Sequence, residues 1–219
     1  EKAGFAARKV GNPDRVVQCV AQFERWLSMQ DRDLRKTYVD AGMPDTSAIS
    51  REEMLDSLKE MLIWELLPLE ELEIECATKK LSTKTEQSDL TDRRLELAQR
   101  LRLDAAVRAN RVMYESLNIP VDRLGTIAAS RVKAQFDHID DCQLVELRNW
   151  YRDAGMPDEK DVAKEEIRSL WKEVTVWACL PEDELKREIL DRGLSLQALL
   201  NKPFGSTKAA EGEKEELCD

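Results

Sequence analysis

A shift of 113 positions lays the sequence on itself without a gap, Ala21–Ser82 against Ala134–Ser195. "AQF" meets "AQF", and "LRKTYVDAGMPD" at 34–45 meets "LRNWYRDAGMPD" at 147–158. Further on, Glu52, Glu53, Lys59, Glu60, Trp64, Leu67, Pro68, Glu71, Leu72 and Glu75 recur as Glu165, Glu166, Lys172, Glu173, Trp177, Leu180, Pro181, Glu184, Leu185 and Glu188. A repeat of this length constrains the fold more than any other feature, because each copy must take the same conformation. The expected organisation is a tandem duplication of a helical module: copy one over 1–82, a linker helix over 83–119, copy two over 120–200 and a tail over 201–219.

Each copy reads as four helices. The first, near 13–28, opens with "NPD", where Asn12 can cap and Pro13 takes the first helical position, which needs no amide proton. The second, near 31–41, ends at Gly42, with Pro44 two residues on. Gly supplies the left-handed cap that a Cβ would oppose, and Pro prevents continuation. "AGMPD" is thus a helix terminator, with Gly42 and Pro44 in copy one and Gly155 and Pro157 in copy two. The third helix starts at "SREE", a capping box of Ser50 and Glu53, and carries Met54, Leu58, Met61, Leu62, Trp64 and Leu66 as one stripe. The fourth begins at Pro68, its counterpart at Pro181, and turns Leu69, Leu72 and Cys76 inward.

Between the copies, 88–117 runs without Gly or Pro, with Leu90, Leu97, Leu101, Ala105, Val112 and Leu117 near one face. As a single helix it would span ~45 Å at 1.5 Å per residue. "NIPVD" at 118–122 then breaks it and starts the first helix of copy two. The stretch Arg93–Lys133 holds nine Lys or Arg against four acids, so the linker is a basic amphipathic helix in a chain of net charge −10. The overall field disfavours nucleic acid and anionic membranes, and no uncharged run approaches the ~18–20 residues of a spanning helix. Charged residues make up 36% of the chain, aromatics 5%, and Gly and Pro number only 8 and 7. That is the texture of an all-α protein.

The repeat also tests for chemistry, since a working ligand or nucleophile should be matched in the sister copy. Cys19 aligns with Val132, Cys76 with Ile189, Cys142 with Met29 and Cys179 with Leu66, so cysteine is expected as a small buried hydrophobe in a reducing compartment. Cys218, near the end, is the one expected to be exposed. The single histidine, His138, aligns with Arg25 on a polar face. No closely spaced Cys pair, phosphate loop or nucleophile elbow occurs. No cofactor or metal is expected, and no catalytic residue. Retained carboxylates sit at helix starts, where they oppose the dipole; Lys59, Glu60, Lys172 and Glu173 read as solvated charge. Trp64 and Trp177 read as anchors of the third helix against the fourth.

Leu67–Leu95, "LPLEELEIECATKKLSTKTEQSDLTDRRL", resembles the helix-extension-helix or SAP-like motif through Leu72, Cys76, Leu81, Ser82, Asp89, Leu90 and Arg93. The resemblance implies two helices around a short extended turn. Many SAP motifs bind DNA, but residues 68–95 hold seven acids against five bases. The resemblance to acidic versions in organelle-targeted algal proteins implies a scaffold as readily as a nucleic-acid binder, and a place in a plastid, peripheral to a membrane complex such as a photosystem. "EKAGFAARKV" at 1–10 reads as the stub of a targeting peptide. Two expectations follow: a non-catalytic structural subunit that binds other proteins of a large assembly, or a SAP-like nucleic-acid binder using Arg93, Arg94, Arg100, Arg102, Arg108 and Arg111.

Overall fold

Proline opens the first helix and glycine closes the second in the computed structural model, which describes residues 13–85, 87–157 and 162–193. The expectations for Asn12, the stub at 1–10, Asp158, Ser195, Cys218 and the tail at 201–219 lie outside the described residues. Eleven helices and no strands occur among the described residues, so the protein is all-α. In copy one, α1 is Pro13–Ser28, α2 Asp31–Asp40, α3 Arg51–Trp64 and α4 Leu69–Thr78. Then come α5 (Leu90–Ala109), α6 (Arg111–Ser116) and α7 (Val121–Leu124). Copy two holds α8 (Thr126–Asp141), α9 (Leu144–Asp153), α10 (Lys164–Cys179) and α11 (Glu182–Asp191). The shift of 113 carries the bounds of α1, α2 and α4 onto those of α8, α9 and α11.

The helix ends are set by local chemistry. At Gly42 φ is +88°, and the Gly42 and Met43 amides donate to Val39 O (2.8 Å) and Tyr38 O (3.3 Å). This pair of bonds is the Schellman closure. Gly155 repeats it at φ +74°, its amide on Arg152 O and that of Met156 on Tyr151 O. Two non-glycine residues take the same left-handed conformation. Lys80 (φ 60°) closes α4 with Leu81 N on Cys76 O at 2.8 Å, and Asn118 (φ 60°) closes α6 with Ile119 N on Tyr114 O at 3.0 Å. The shifted counterpart of Lys80 is Gly193, at φ +68°.

These positions allow a signed comparison. A Cβ on Gly155 would meet nothing within 4 Å, and one on Gly42 would sit at an ordinary 3.6 Å from Ala106 Cβ. Only backbone strain opposes alanine, so Gly42→Ala and Gly155→Ala are each expected to cost about 1 kcal/mol; urea denaturation showing no loss in either would sink the terminator reading. Lys80→Gly is expected to go the other way, gaining about 0.5–1 kcal/mol by releasing left-handed strain against glycine's larger unfolded entropy. A shift of its urea midpoint to lower concentration would refute that.

The Ser50 box forms: Ser50 N donates to Glu53 Oε2 at 2.8 Å, and Glu53 N to Ser50 Oγ at 3.2 Å. The Ser50 amide, and second the Ser50 hydroxyl at 2.8 Å, both donate to the exposed Glu53 carboxylate and hold it below the usual range. The fourth helix of each copy starts one residue later than expected, after Pro68 and after Pro181. Their ψ angles of 163° and 149° are extended, so each caps its helix, accepting through its carbonyl from Leu72 N (3.1 Å) and Leu185 N (2.9 Å), and the helices start at Leu69 and Glu182.

The linker differs from the single 45 Å rod. Asn110 interrupts it, donating through Nδ2 to Ala106 O (2.7 Å) and to Gly42 O (3.0 Å). The first long helix of copy two starts at Thr126, after Gly125 (φ +76°), and "NIPVD" supplies only the one-turn α7. Leu97 and Leu101 are fully buried as the spacing requires, but Leu90 and Val112 are exposed.

The chain divides into two compact units, Glu1–Cys179 and Leu180–Asp219. In the first, α3 packs on α1, α2 and α5; α5 packs on α4; and α10 packs on α8 and α9. Helix α5 also packs on α8, so it serves as a spine between the copies. One core joins Trp26, Leu34, Tyr38, Met54, Leu58, Met61, Trp64, Leu72 and Cys76 to Leu97, Ala98 and Leu101 of α5. A smaller core gathers Ile139, Cys142, Leu147 and Ile167. In the second unit, Leu180 is buried ahead of α11, which itself has no fully buried residue. Among the described residues no helix is long and apolar enough to cross a membrane.

Candidate functional site

The segment resembling a SAP motif is a hairpin of α4 and α5 joined by residues 79–89. Asp89 caps α5, its Oδ1 accepting from Thr91 N (2.7 Å) and Asp92 N (3.2 Å), and these bonds hold its carboxyl below the usual range. Leu72 and Cys76 face α5 from the core, with the Cys76 thiol 3.9 Å from Leu97 O.

The six arginines project from α5 and α6, and each guanidinium has acceptors within the chain. Arg93 donates to Thr85 Oγ1 and to Glu73 Oε1, both at 3.1 Å. Arg94 binds Glu65 O (2.7 Å) and Leu67 O (3.3 Å), carbonyls left over at the end of α3. Arg100 holds Lys84 O (3.0 Å), Ser82 O and Glu96 Oε1 (2.5 Å). Arg102 pairs with Glu65 Oε1 at 2.5 Å. Arg108 pairs with Asp104 Oδ2 at 2.9 Å, and Arg111 with Glu115 Oε1 at 2.7 Å and with Asp122. Arg108 and Arg111 stay largely solvated, and exposed pairs of this kind contribute little each. Five of them pair with six carboxylates, two of which, Glu65 and Glu73, come from copy one, and Arg94 is held by backbone carbonyls. Glu65 and Glu73 thus offset two of the five surplus positive charges read along the linker.

Two open clefts flank this region. One, of about 580 Å³, is lined by Glu73, Thr83, Lys84, Thr85, Gln87, Ser88 and Arg93. The other, of about 400 Å³, lies at the start of α8 between Arg108, Arg111, Val121, Asp122, Gly125 and Thr126. Beside it Asp104 is 1% exposed and accepts from Thr126 Oγ1 at 2.6 Å as well as from Arg108.

Asp104 lies outside every motif in the sequence; its only signal there is the four-residue step to Arg108. Arg51 is likewise unmarked. It reaches from α3 to the end of α1, donating to Leu27 O (2.9 Å) and Met29 O (2.8 Å) and pairing with Asp31 Oδ1 at 2.5 Å. Arg168 of α10 does the corresponding work at the end of α8, on Asp140 O at 3.3 Å, although its shifted counterpart is Leu55. Lys59 and Lys172 are not simply solvated: each ammonium lies over a phenylalanine ring, Phe23 at 5.4 Å and Phe136 at 5.1 Å. Retention of both partners in both copies was the available signal. Trp64 is buried in the copy-one core, and Lys79 at the end of α4 covers its ring at 5.1 Å.

Cys19, Cys76 and Cys142 are buried free thiols and Cys179 is half-buried. Burial, with the Glu65 carboxylate second, pushes the Cys19 thiol up to about 11, well away from thiolate chemistry. His138 is exposed, its Nε2 4.0 Å from Cys142 Sγ. Compared with protein-family models, curated proteins and solved structures, the chain has no match.

Proposed function

We propose that this chain is a non-catalytic structural subunit that holds other proteins in a larger assembly. The observation that carries this reading is the use of the Arg-rich helix as internal clamp. Arg93 and Arg100 fasten the extension 79–89 to α5, Arg94 and Arg102 fasten the end of α3, and Arg108 and Arg111 brace the passage to copy two. A phosphate-binding face needs cations whose release of counterions drives binding. Cations already matched by carboxylates give less of that, so these bonds favour the scaffold over the SAP-like nucleic-acid reading. The resemblance to acidic repeats of organelle-targeted algal proteins extends the proposal to a plastid, and to a peripheral subunit of a membrane complex such as a photosystem.

Native-size fractionation of the source cells, with membranes and soluble phase kept apart and the chain followed by mass spectrometry, tests the proposal. Co-migration with a large membrane complex is the expected result. Migration as a free monomer would overturn it, and a gel shift with nucleic acid at low salt would revive the alternative.

A further inference from the structure

From Ser82 to Thr85 no backbone group of the extension bonds to another backbone group among the described residues. Side chains of α5 fasten it instead: Arg100 Nη1 lies on Ser82 O and on Lys84 O at 3.0 Å, and Arg93 Nε on Thr85 Oγ1 at 3.1 Å. Another protein can therefore engage this stretch without breaking a helix or a sheet, as surface connections allow.

Exposure and charge single out one hydroxyl in it. Thr83 and Thr85 are half-buried, and Ser88 is followed by Asp89. Ser82 is exposed; its Oγ accepts from Lys84 N at 3.2 Å, and its own proton meets no acceptor among the described residues. Around it, Lys79–Lys84 holds three lysines and no acid, in a chain of net charge −10. Lys79 is engaged by Glu60 at 3.3 Å and by the Trp64 ring at 5.1 Å. Lys80 and Lys84 are exposed and have no ion pair among the described residues.

The geometry points to Ser82 as a phosphorylation site for a protein kinase that reads basic residues ahead of the acceptor hydroxyl. In the reaction Ser82 Oγ bonds to the γ-phosphorus of a nucleoside triphosphate, the bond from that phosphorus to the β-bridging oxygen breaks, the nucleoside diphosphate leaves and the hydroxyl proton passes to the kinase's catalytic base. The product has cations in place. Arg100 already lies on the Ser82 carbonyl through Nη1, while Glu96 holds its other nitrogen at 2.5 Å, and Lys84 bonds the Ser82 oxygen through its own amide. A phosphoserine brings about −1.5 to −2 charges and three acceptor oxygens. Charge-assisted bonds to Arg100 and Lys84 then fix the extension more firmly on α5. The inference stands apart from the subunit reading, since a free monomer would carry the site equally well.

The test incubates the full chain, and separately a peptide of residues 77–88, with labelled ATP and a kinase selective for Lys or Arg two and three residues before serine; mass spectrometry maps the label. Phosphate on Ser82 of the folded chain is expected, absent from Ser82→Ala. Incorporation should be at least fivefold slower in Lys80→Gly, which removes a flanking charge without opposing the left-handed backbone there. Label on the peptide but not on the folded chain would mean that the fold hides the hydroxyl, and label on neither that the lysines are not read; each overturns the site. Label on Thr83, Thr85 or Ser88 in its place overturns the assignment to Ser82. The lock on α5 has its own readout. Phosphorus NMR titration of the phosphorylated chain should place the second phosphate pKa below the ~6 of a solvated phosphoserine. It should return toward that value in Lys84→Gln, and in Arg100→Gln where circular dichroism shows that variant folded. An unshifted value in the phosphorylated parent would overturn the lock.

Discussion

Leu101→Ala is expected to lower the unfolding free energy by about 3–5 kcal/mol, and to do so in one transition. Leu101 is fully buried on α5, in the core that also holds Trp26, Trp64 and Leu97. Truncation removes the transfer energy of the side chain and leaves a cavity that packed helices fill poorly. A loss of this size is a large part of the total stability of a domain. The cooperativity is the sharper expectation. Helix α5 packs on α3 and α4 of copy one and on α8 of copy two, so loosening it undermines both. Urea unfolding should give coincident curves by tryptophan fluorescence and far-ultraviolet circular dichroism, shifted together. Leu95→Ala, on the same helix but 51% exposed, should stay within about 0.5 kcal/mol of the parent. Two resolved transitions with only one displaced would mean that α5 belongs energetically to copy one alone.

What could be read from the sequence divides along physical lines. Features set by a residue and its near neighbours were legible: Pro13 at a helix start, the Ser50–Glu53 box, the glycine stops and the buried stripe of α3. Each depends on bonds spanning a few positions. Features set by distant partners were not. Nothing around Asn110 marks it as a helix end, because part of what holds it there is Gly42 O, 68 positions earlier. The Arg-rich run looked like a free basic surface, since Glu65 and Glu73 lie outside the window in which charge was counted. Leu90 and Val112 share the period of Leu97 and Leu101, but periodicity states which residues share a face and not how far along the helix a neighbour covers it. Lys80 evaded the rule for helix stops for a different reason. Its conformation belongs to glycine, and Gly193 in the sister copy was the clue.

Asp104→Ala is expected to cost about 2–3 kcal/mol, the range for a buried hydrogen bond to a charged acceptor once its partner is orphaned. Asp104 joins α5 to the first residue of α8: Oδ1 accepts the Thr126 hydroxyl at 2.6 Å and Oδ2 accepts Arg108 Nε at 2.9 Å. The two losses are unequal. Arg108 is 62% exposed and water can replace its partner, so that pair adds only a few tenths. Thr126 is 7% exposed, and its hydroxyl would be left without that acceptor at a helix start where a carboxylate also opposes the dipole. Asp104→Asn keeps an oxygen for Thr126 but loses the charge and turns its amide NH2 toward Arg108, and should cost about 1 kcal/mol. Thr126→Val removes the orphan, so the double variant Asp104→Ala with Thr126→Val should be less destabilised than the two singles added together, with a coupling of about 1–2 kcal/mol. Additive losses would show that the 2.6 Å contact carries no energy. In that case the passage from α5 to α8 is held by apolar packing alone, and Asp104 is a buried charge tolerated by its exposed arginine.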